Sequence, residues 1–182
     1  MMKPGAFEQK GQEAKLNNFF GAYTLSDMVK TTLGPKGMDK ILQPMGAGPK
    51  DGKIIVTNDG ATILSHVLVD NAAARVLIDC SKTQDEEVGD GTTSVCVFAG
   101  ELLRQGEQLV NQRIHPQVII QGWRKARETA LKVLRTKSFD NSEDQEKFKE
   151  DLMNIARTTI SSKLLTYEKE HFAKLAVDAV LR

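Results

Sequence analysis

Residues 86–97 read EEVGDGTTSVCV. One carboxylate, Asp90, stands between two glycines; Thr92 and Thr93 follow, and an apolar run begins. Glycine is costly inside a regular element, so Gly-Asp-Gly at the mouth of a hydrophobic stretch marks a break between helices that something must approach closely. A helix starting near Thr92 leaves its first N–H groups unpaired, and those donors, with the helix dipole, favour an anion such as phosphate. Gly89 and Gly91 would let a phosphate reach the main chain, and Thr92 and Thr93 add hydroxyl donors. An aspartate facing a phosphate repels it unless a hard cation lies between, so Asp90 reads as a Mg²⁺ ligand. The same residues also suit an ordinary tight turn with Asp or Thr as N-cap. Both readings stay open at this point.

Around that turn the chain is helical almost throughout. Leu16, Phe19, Phe20, Tyr23, Asp27, Met28 and Thr31 follow a helical period that stops at Leu33-Gly34-Pro35, where Pro cannot continue a helix. MDKILQP and KIIVTN, either side of MGAGPKDG, predict two short strands in a hairpin. NDGATILSHVLV opens with cap residues, and DNAAARVLIDCSKTQ places Val76, Leu77 and Cys80 on one side. Thr92 to Gln112 puts Val95, Phe98, Leu102, Leu109 and Val110 near one face. Pro116 suits a first helical position, with Ile119, Ile120, Trp123, Leu131 and Leu134 carrying that helix to about Thr136. KSFDNSEDQEK is the best domain boundary, and its Ser142-Glu143-Asp144-Gln145 predicts a capping box for a helix with Phe148, Leu152 and Ile155 inward. A last helix runs through Phe172, Leu175, Ala176, Ala179 and Val180; the pattern looks cut there rather than finished. The fold class is mainly α, with one small β-hairpin.

Bulk numbers narrow the function. The 182 residues are 40% hydrophobic and 27% charged with a net charge of +1, an ordinary globular balance rather than the basic one of a nucleic-acid binder. No stretch approaches the ~18 apolar residues of a membrane span, and the N-terminus has no signal-like apolar region. Cys80 and Cys96 lack metal-ligand spacing and read as buried free thiols in a reducing, cytoplasmic setting. The basic set Arg124, Lys125, Arg127, Lys132, Arg135 and Lys137 is a solvated helix face, and His66, His115 and His171 are scattered.

Two more turns sit beside helix ends. VTNDGAT holds Asp59, an N-cap by itself. TLGPKGMDK holds Gly34 in a pattern that is not a P-loop, and GAGPKDGK is only a turn. Three Gly-rich turns within sixty residues could nevertheless converge on one triphosphate.

TLGPKGMDKIL, VTNDGATIL, VGDGTTSV and TTISSKLL, in this order and spacing, resemble the group II chaperonins from about Phe20 to Arg182. The resemblance implies a multihelical equatorial ATPase domain in residues 1–141, its first segment, and the start of an intermediate hinge domain in 142–182. It implies ATP and Mg²⁺ as cofactors. Leu33, Gly34 and Pro35 would meet the nucleotide phosphates through the backbone, and Gly91, Thr92, Thr93 and Ser94 would cradle them. Asp90 would hold the metal and Asp59 would position the attacking water. Ser161, Ser162 and Lys163 would reach the nucleotide from the hinge domain, Lys163 sensing the γ-phosphate. Implied partners are paralogous subunits in a stacked double ring and unfolded clients, among them actin and tubulin, with neither nucleic acid nor membrane.

Two departures from the family pattern are Ala72, where proline is usual, and a longer hairpin turn; neither touches the phosphate turns. The family's second catalytic aspartate falls outside these residues, so the chain alone is expected to be inactive. It is also expected to expose apolar faces such as Phe98/Leu102 and Ile119/Trp123. Two rival readings are a non-enzymatic helical scaffold whose Gly-Asp-Gly turns are only caps, and a stand-alone phosphohydrolase, for which a single water-orienting carboxylate is visible.

Overall fold

The computed structural model describes residues 8–43, 54–161 and 166–182. Among them the chain forms seven α-helices, a short 3₁₀ turn at Thr166–Glu168 and a two-stranded antiparallel sheet, as the helical periods and hairpin pattern predict. It divides into two compact units: Met1–Thr32 with Lys40–Ile114, and Leu33–Asp39 with His115–Arg182. No described helix is long and apolar enough to cross a membrane.

The first unit holds α1 (Gly11–Lys30), β1 (Lys40–Leu42), β2 (Ile55–Thr57), α2 (Gly60–His66), α3 (Ala72–Val88) and α4 (Thr92–Asn111). Ile41 pairs with Val56, flanked by Lys40–Thr57 and Leu42–Ile55. The expected turn between these strands lies outside the described residues. Ala22, Leu25 and Val29 of α1, Ile63 and Leu64 of α2, Ala74, Leu77 and Ile78 of α3, and Cys96 and Val97 of α4 form one core. Asn71 caps α3 by accepting from Ala74 N at 3.1 Å and donates from Nδ2 to Asn17 O at 2.9 Å, which ties the start of α3 to α1.

The buried faces are not those the large apolar residues predict. Leu16, Phe20, Met28 and Val76 face solvent and Cys80 is exposed rather than buried; Phe98, at 66% exposure, belongs to an apolar face expected to stand open, whereas Ile119 of the other expected face is buried. On α1 and α4 the reason is how closely the two helices approach. A Cβ on Gly100 would collide with the side chain of Ser26, whose Oγ reaches Val97 O at 3.5 Å. A seam that tight admits only small side chains, so the bulky ones on both helices turn outward. Polar groups close its rim: Arg104 donates to both oxygens of Asp27 at 2.8 and 2.7 Å, and Lys30 to Glu101 at 2.6 Å.

The second unit holds α5 (Pro116–Lys137), α6 (Gln145–Ile160) and α7 (Lys169–Val180). His115 caps α5, its Nδ1 accepting from Gln117 N at 3.2 Å ahead of Pro116. Ile119 is buried and the rest of α5 is largely exposed. The cap of α6 is Asp144, not Ser142: its carboxylate accepts from Lys147 N at 3.3 Å and pairs with Lys147 Nζ at 3.0 Å. Ser142 N donates instead to Asp140 Oδ1, a local turn that competes with the box. α6 packs on α7 yet buries no residue completely; Ile155 is 63% exposed and Phe148 also faces water. On α7 the inward residues are Ala173 and Val177, whereas Leu175 and Val180 point outward. Arg157 joins the pair from α6, donating to Glu170 of α7 from Nε at 2.9 and 3.2 Å and from Nη2 at 2.9 Å.

Candidate functional site

Helix α3 ends at Gly89, in the left-handed region at φ +76°, with its N–H donating to Gln84 O at 3.3 Å. Gly91, at φ +78°, is the N-cap of α4. Both positions need a conformation that a side chain resists, and this accounts for glycine on each side of Asp90. Asp90 is exposed; its Oδ1 accepts from Gly91 N at 2.7 Å, and its carbonyl accepts from Gln84 Nε2 at 3.0 Å. Having no side chain, Gly91 offers no acceptor to the first turn of α4. Thr92 and Thr93 are buried there, and Ser94 is exposed. Ser81 Oγ donates to Thr92 O at 3.3 Å and anchors that turn to α3.

The second turn arrives from α2. Asp59 is its N-cap, with Oδ2 accepting from Thr62 N at 2.9 Å and from Thr62 Oγ1 at 2.7 Å. Its backbone N–H donates to Thr57 Oγ1 at 3.1 Å. Across the gap, Thr92 Oγ1 donates to Asp59 Oδ1 at 3.4 Å. The approach of the two turns explains Gly60: a Cβ there would lie 2.8 Å from Thr93 N and 2.9 Å from Thr93 Cα, distances that no side chain tolerates. Asp59 therefore meets Thr92, 33 positions later in the sequence, and its neighbour Thr93 at the start of α4.

The third turn belongs to the second unit. Gly34 has φ +85° and its carbonyl accepts from Gly37 N at 3.0 Å; Leu33 and Pro35 beside it are exposed. A Cβ at Gly34 would meet nothing within 4 Å, so conformation alone calls for glycine. Ser161 ends α6: its Oγ donates to Arg157 O at 2.7 Å and accepts from Lys169 Nζ at 2.9 Å. Ser162 and Lys163 lie outside the described residues.

The residue that the sequence reading passed over is Thr62. Its signal was present in VTNDGAT: an N-cap aspartate followed three positions later by a side chain able to reach it. On α4, burial pushes the Cys96 thiol up to about 11, so it remains protonated in neutral solution.

Among the described residues no three His, Cys, Asp or Glu side chains group closely enough to hold a metal ion unaided. A Mg²⁺ ion at Asp90 would take its other oxygens from phosphate and water, as this ion commonly does. One exposed carboxylate, a helix start without a side-chain cap, and threonines at that start fit a magnesium–polyphosphate.

Residues 25–182 match the TCP-1/cpn60 chaperonin family. Over 182 residues, all of this chain and 34% of the relative, it is 58% identical to T-complex protein 1 subunit beta of Dictyostelium discoideum. It is 62% identical over 175 residues, 96% of the chain and 32% of the relative, to the probable T-complex protein 1 subunit beta of Schizosaccharomyces pombe. To T-complex protein 1 subunit beta of Homo sapiens it is 57% identical over 182 residues, again 34% of that protein. The chain thus spans about a third of the length of the curated relatives it matches.

Proposed function

The chain belongs to the TCP-1/cpn60 chaperonin family, and from that premise we propose that it forms the nucleotide-facing part of a subunit in an ATP-dependent protein-folding ring. In this reading residues 1–141 are equatorial and 142–182 begin the hinge domain. Paralogous subunits complete the ring, which works in the cytoplasm on unfolded client polypeptides.

One observation carries the reading: the Asp59 carboxylate is fixed by donors from α2 and from Thr92 beside an N-terminus of α4 that has no side-chain cap. Phosphoryl transfer to water asks a protein mainly for positioning and electrostatics. Asp59, restrained on its own helix cap, accepts a hydrogen bond from the attacking water and orients it without reorganising. The backbone amides of Thr92, Thr93 and Ser94 donate to the phosphates. Asp90 is the residue that would hold Mg²⁺, which when bound neutralises charge on the transferring group. Leu33, Gly34, Pro35 and Ser161–Lys163 are the further nucleotide contacts that the family resemblance implies, and the energy released would be used to close the ring.

The test is Asp59→Asn in the assembled complex. Asparagine is as good an N-cap as aspartate, so α2 should survive while the charge is lost. Mg-ATP binding is expected to persist and this subunit's turnover to drop by roughly 10²–10⁴-fold, the usual scale for a lost general base or water-orienting group. Undiminished hydrolysis would remove Asp59 from the reaction.

A scaffold reading has one observation in its favour, since Asp59 also satisfies α2 as a cap. It predicts no stabilisation by Mg-ATP, whereas a true site gains about 2.7 kcal/mol at a hundredfold excess over Kd.

A further inference from the structure

We propose that Thr62 is a positioning residue for hydrolysis, its hydroxyl holding the Asp59 carboxylate in the orientation that addresses the attacking water; the proposal rests on the reading just given for Asp59. The geometry separates two tasks that one residue performs. Thr62 N–H donates to Asp59 Oδ2 at 2.9 Å, the bond any residue at the third helical position would make to an N-cap aspartate. Thr62 Oγ1 donates to the same oxygen at 2.7 Å, and α2 does not need this second bond for its cap. With Thr92 Oγ1 on Oδ1 at 3.4 Å, both carboxylate oxygens have a donor and rotation of the group about its Cβ–Cγ bond is restrained.

The backbone beneath is equally constrained. Gly60 lies against the main chain of Thr93, so the α2 turn cannot shift toward α4 to compensate for a loosened side chain. The Thr57 hydroxyl accepts from Asp59 N at 3.1 Å and fixes the other side of the residue. The carboxylate torsion is then set by its donors, and the Thr62 hydroxyl, at 2.7 Å, holds it more closely than the 3.4 Å bond from Thr92. A water-orienting group off by a fraction of an ångström loses much of its value in a reaction that runs on placement. Thr62 itself does not touch the nucleotide in this scheme; it acts through Asp59.

The experiment uses the full-length subunit in the assembled complex, with Asp59→Asn, Thr62→Val and Thr62→Ser compared against wild type. Thr62→Val keeps shape and backbone N–H and removes only the hydroxyl; Thr62→Ser keeps the hydroxyl. Turnover lost on Asp59→Asn defines this subunit's share of hydrolysis. Within that share Thr62→Val is expected to lower kcat about tenfold, the size of one hydrogen bond to a charged group, with KM for ATP unchanged within about twofold. Thr62→Ser is expected to restore most of kcat. If Thr62→Val turns over like wild type, or Thr62→Ser is as slow as Thr62→Val, the positioning role is wrong. If Thr62→Val raises KM and lowers the melting temperature with kcat intact, Thr62 is only a cap and the proposal also falls. Should Asp59→Asn itself lose no turnover, the failure belongs to the reading of Asp59 and is recognised as such.

Discussion

The two compact units are stabilised differently. In the first, ten core residues from four helices share one interior, and the α1–α4 seam is so close that Ser26 and Gly100 have room for nothing larger. In the second, α6 buries nothing completely, α7 buries Ala173 and Val177, and the contact between them is bridged at the surface by Arg157 and Glu170. Burial of apolar area is the dominant favourable term in folding, and exposed ion pairs add little. Asp59, the candidate water-orienting carboxylate, and Asp90, the candidate metal ligand, both stand on the tightly packed unit.

The largest effect should come from deleting a core side chain. Leu64 is fully buried, and Leu64→Ala is expected to lose about 2–5 kcal/mol in denaturant unfolding. Ile155, 63% exposed, should change by less than about 1 kcal/mol on the same truncation. Equal losses at the two positions would end the comparison.

A smaller effect separates the two cysteines. Cys80 should react with a maleimide in the native protein, and Cys96, fully buried, only after unfolding. In the fold the Cys96 thiol keeps its proton to about 11, against an ordinary value of 9.0. Between those values the unfolded chain binds fewer protons than the native one. Stability should therefore be unaffected by this group below about 9 and fall as pH rises from there toward 11. Cys96→Ala should flatten that alkaline slope.

Much of this was legible in the sequence, and the parts that were not share a cause. Helix ends were visible because Gly34, Pro35, Asn71, Gly89, Gly91 and Pro116 each carry a backbone requirement that acts locally. The buried faces were misjudged because size was taken as the sign of burial. At a helix crossing the inward residues are whatever permits the closest approach, here Ala22, Ser26, Cys96 and Gly100, and the sequence does not say which crossing will be that close. The Ser142 box failed for a local reason, since Asp144 offers the stronger acceptor and Lys147 to answer it. At the site, glycine beside aspartate was read as a demand for space. At Gly60 this is so, and the occupant is the chain's own Thr93 backbone; at Gly89 and Gly91 the demand is for conformation.

The smallest effect tests the surface of the second unit. The hydrogen-bonded Glu170 carboxylate holds the Arg157 guanidinium above its usual value, and Glu170 is itself lowered by the same contact, yet Glu170 is exposed and Arg157 only half-buried. Arg157→Gln should leave the melting temperature close to wild type at 1 M salt, with only a slight deficit at low salt, where screening is weakest. A large deficit that salt does not erase would mean that α6 and α7 depend on this pair more than their burial suggests.

The contact of Gly60 with Thr93 has a mechanical side. Most helix neighbours communicate through side chains several bonds long, which bend and re-rotamerise and so absorb small displacements. Here two backbones touch with no side chain of Gly60 between them. Such a joint has almost no compliance: a shift of a few tenths of an ångström in the first turn of α4 must be passed on to the cap of α2 rather than dissipated. Whatever settles at or departs from the start of α4 therefore pushes directly on the mount of Asp59. The two turns then behave as the two jaws of a single stiff gauge rather than as separate loops.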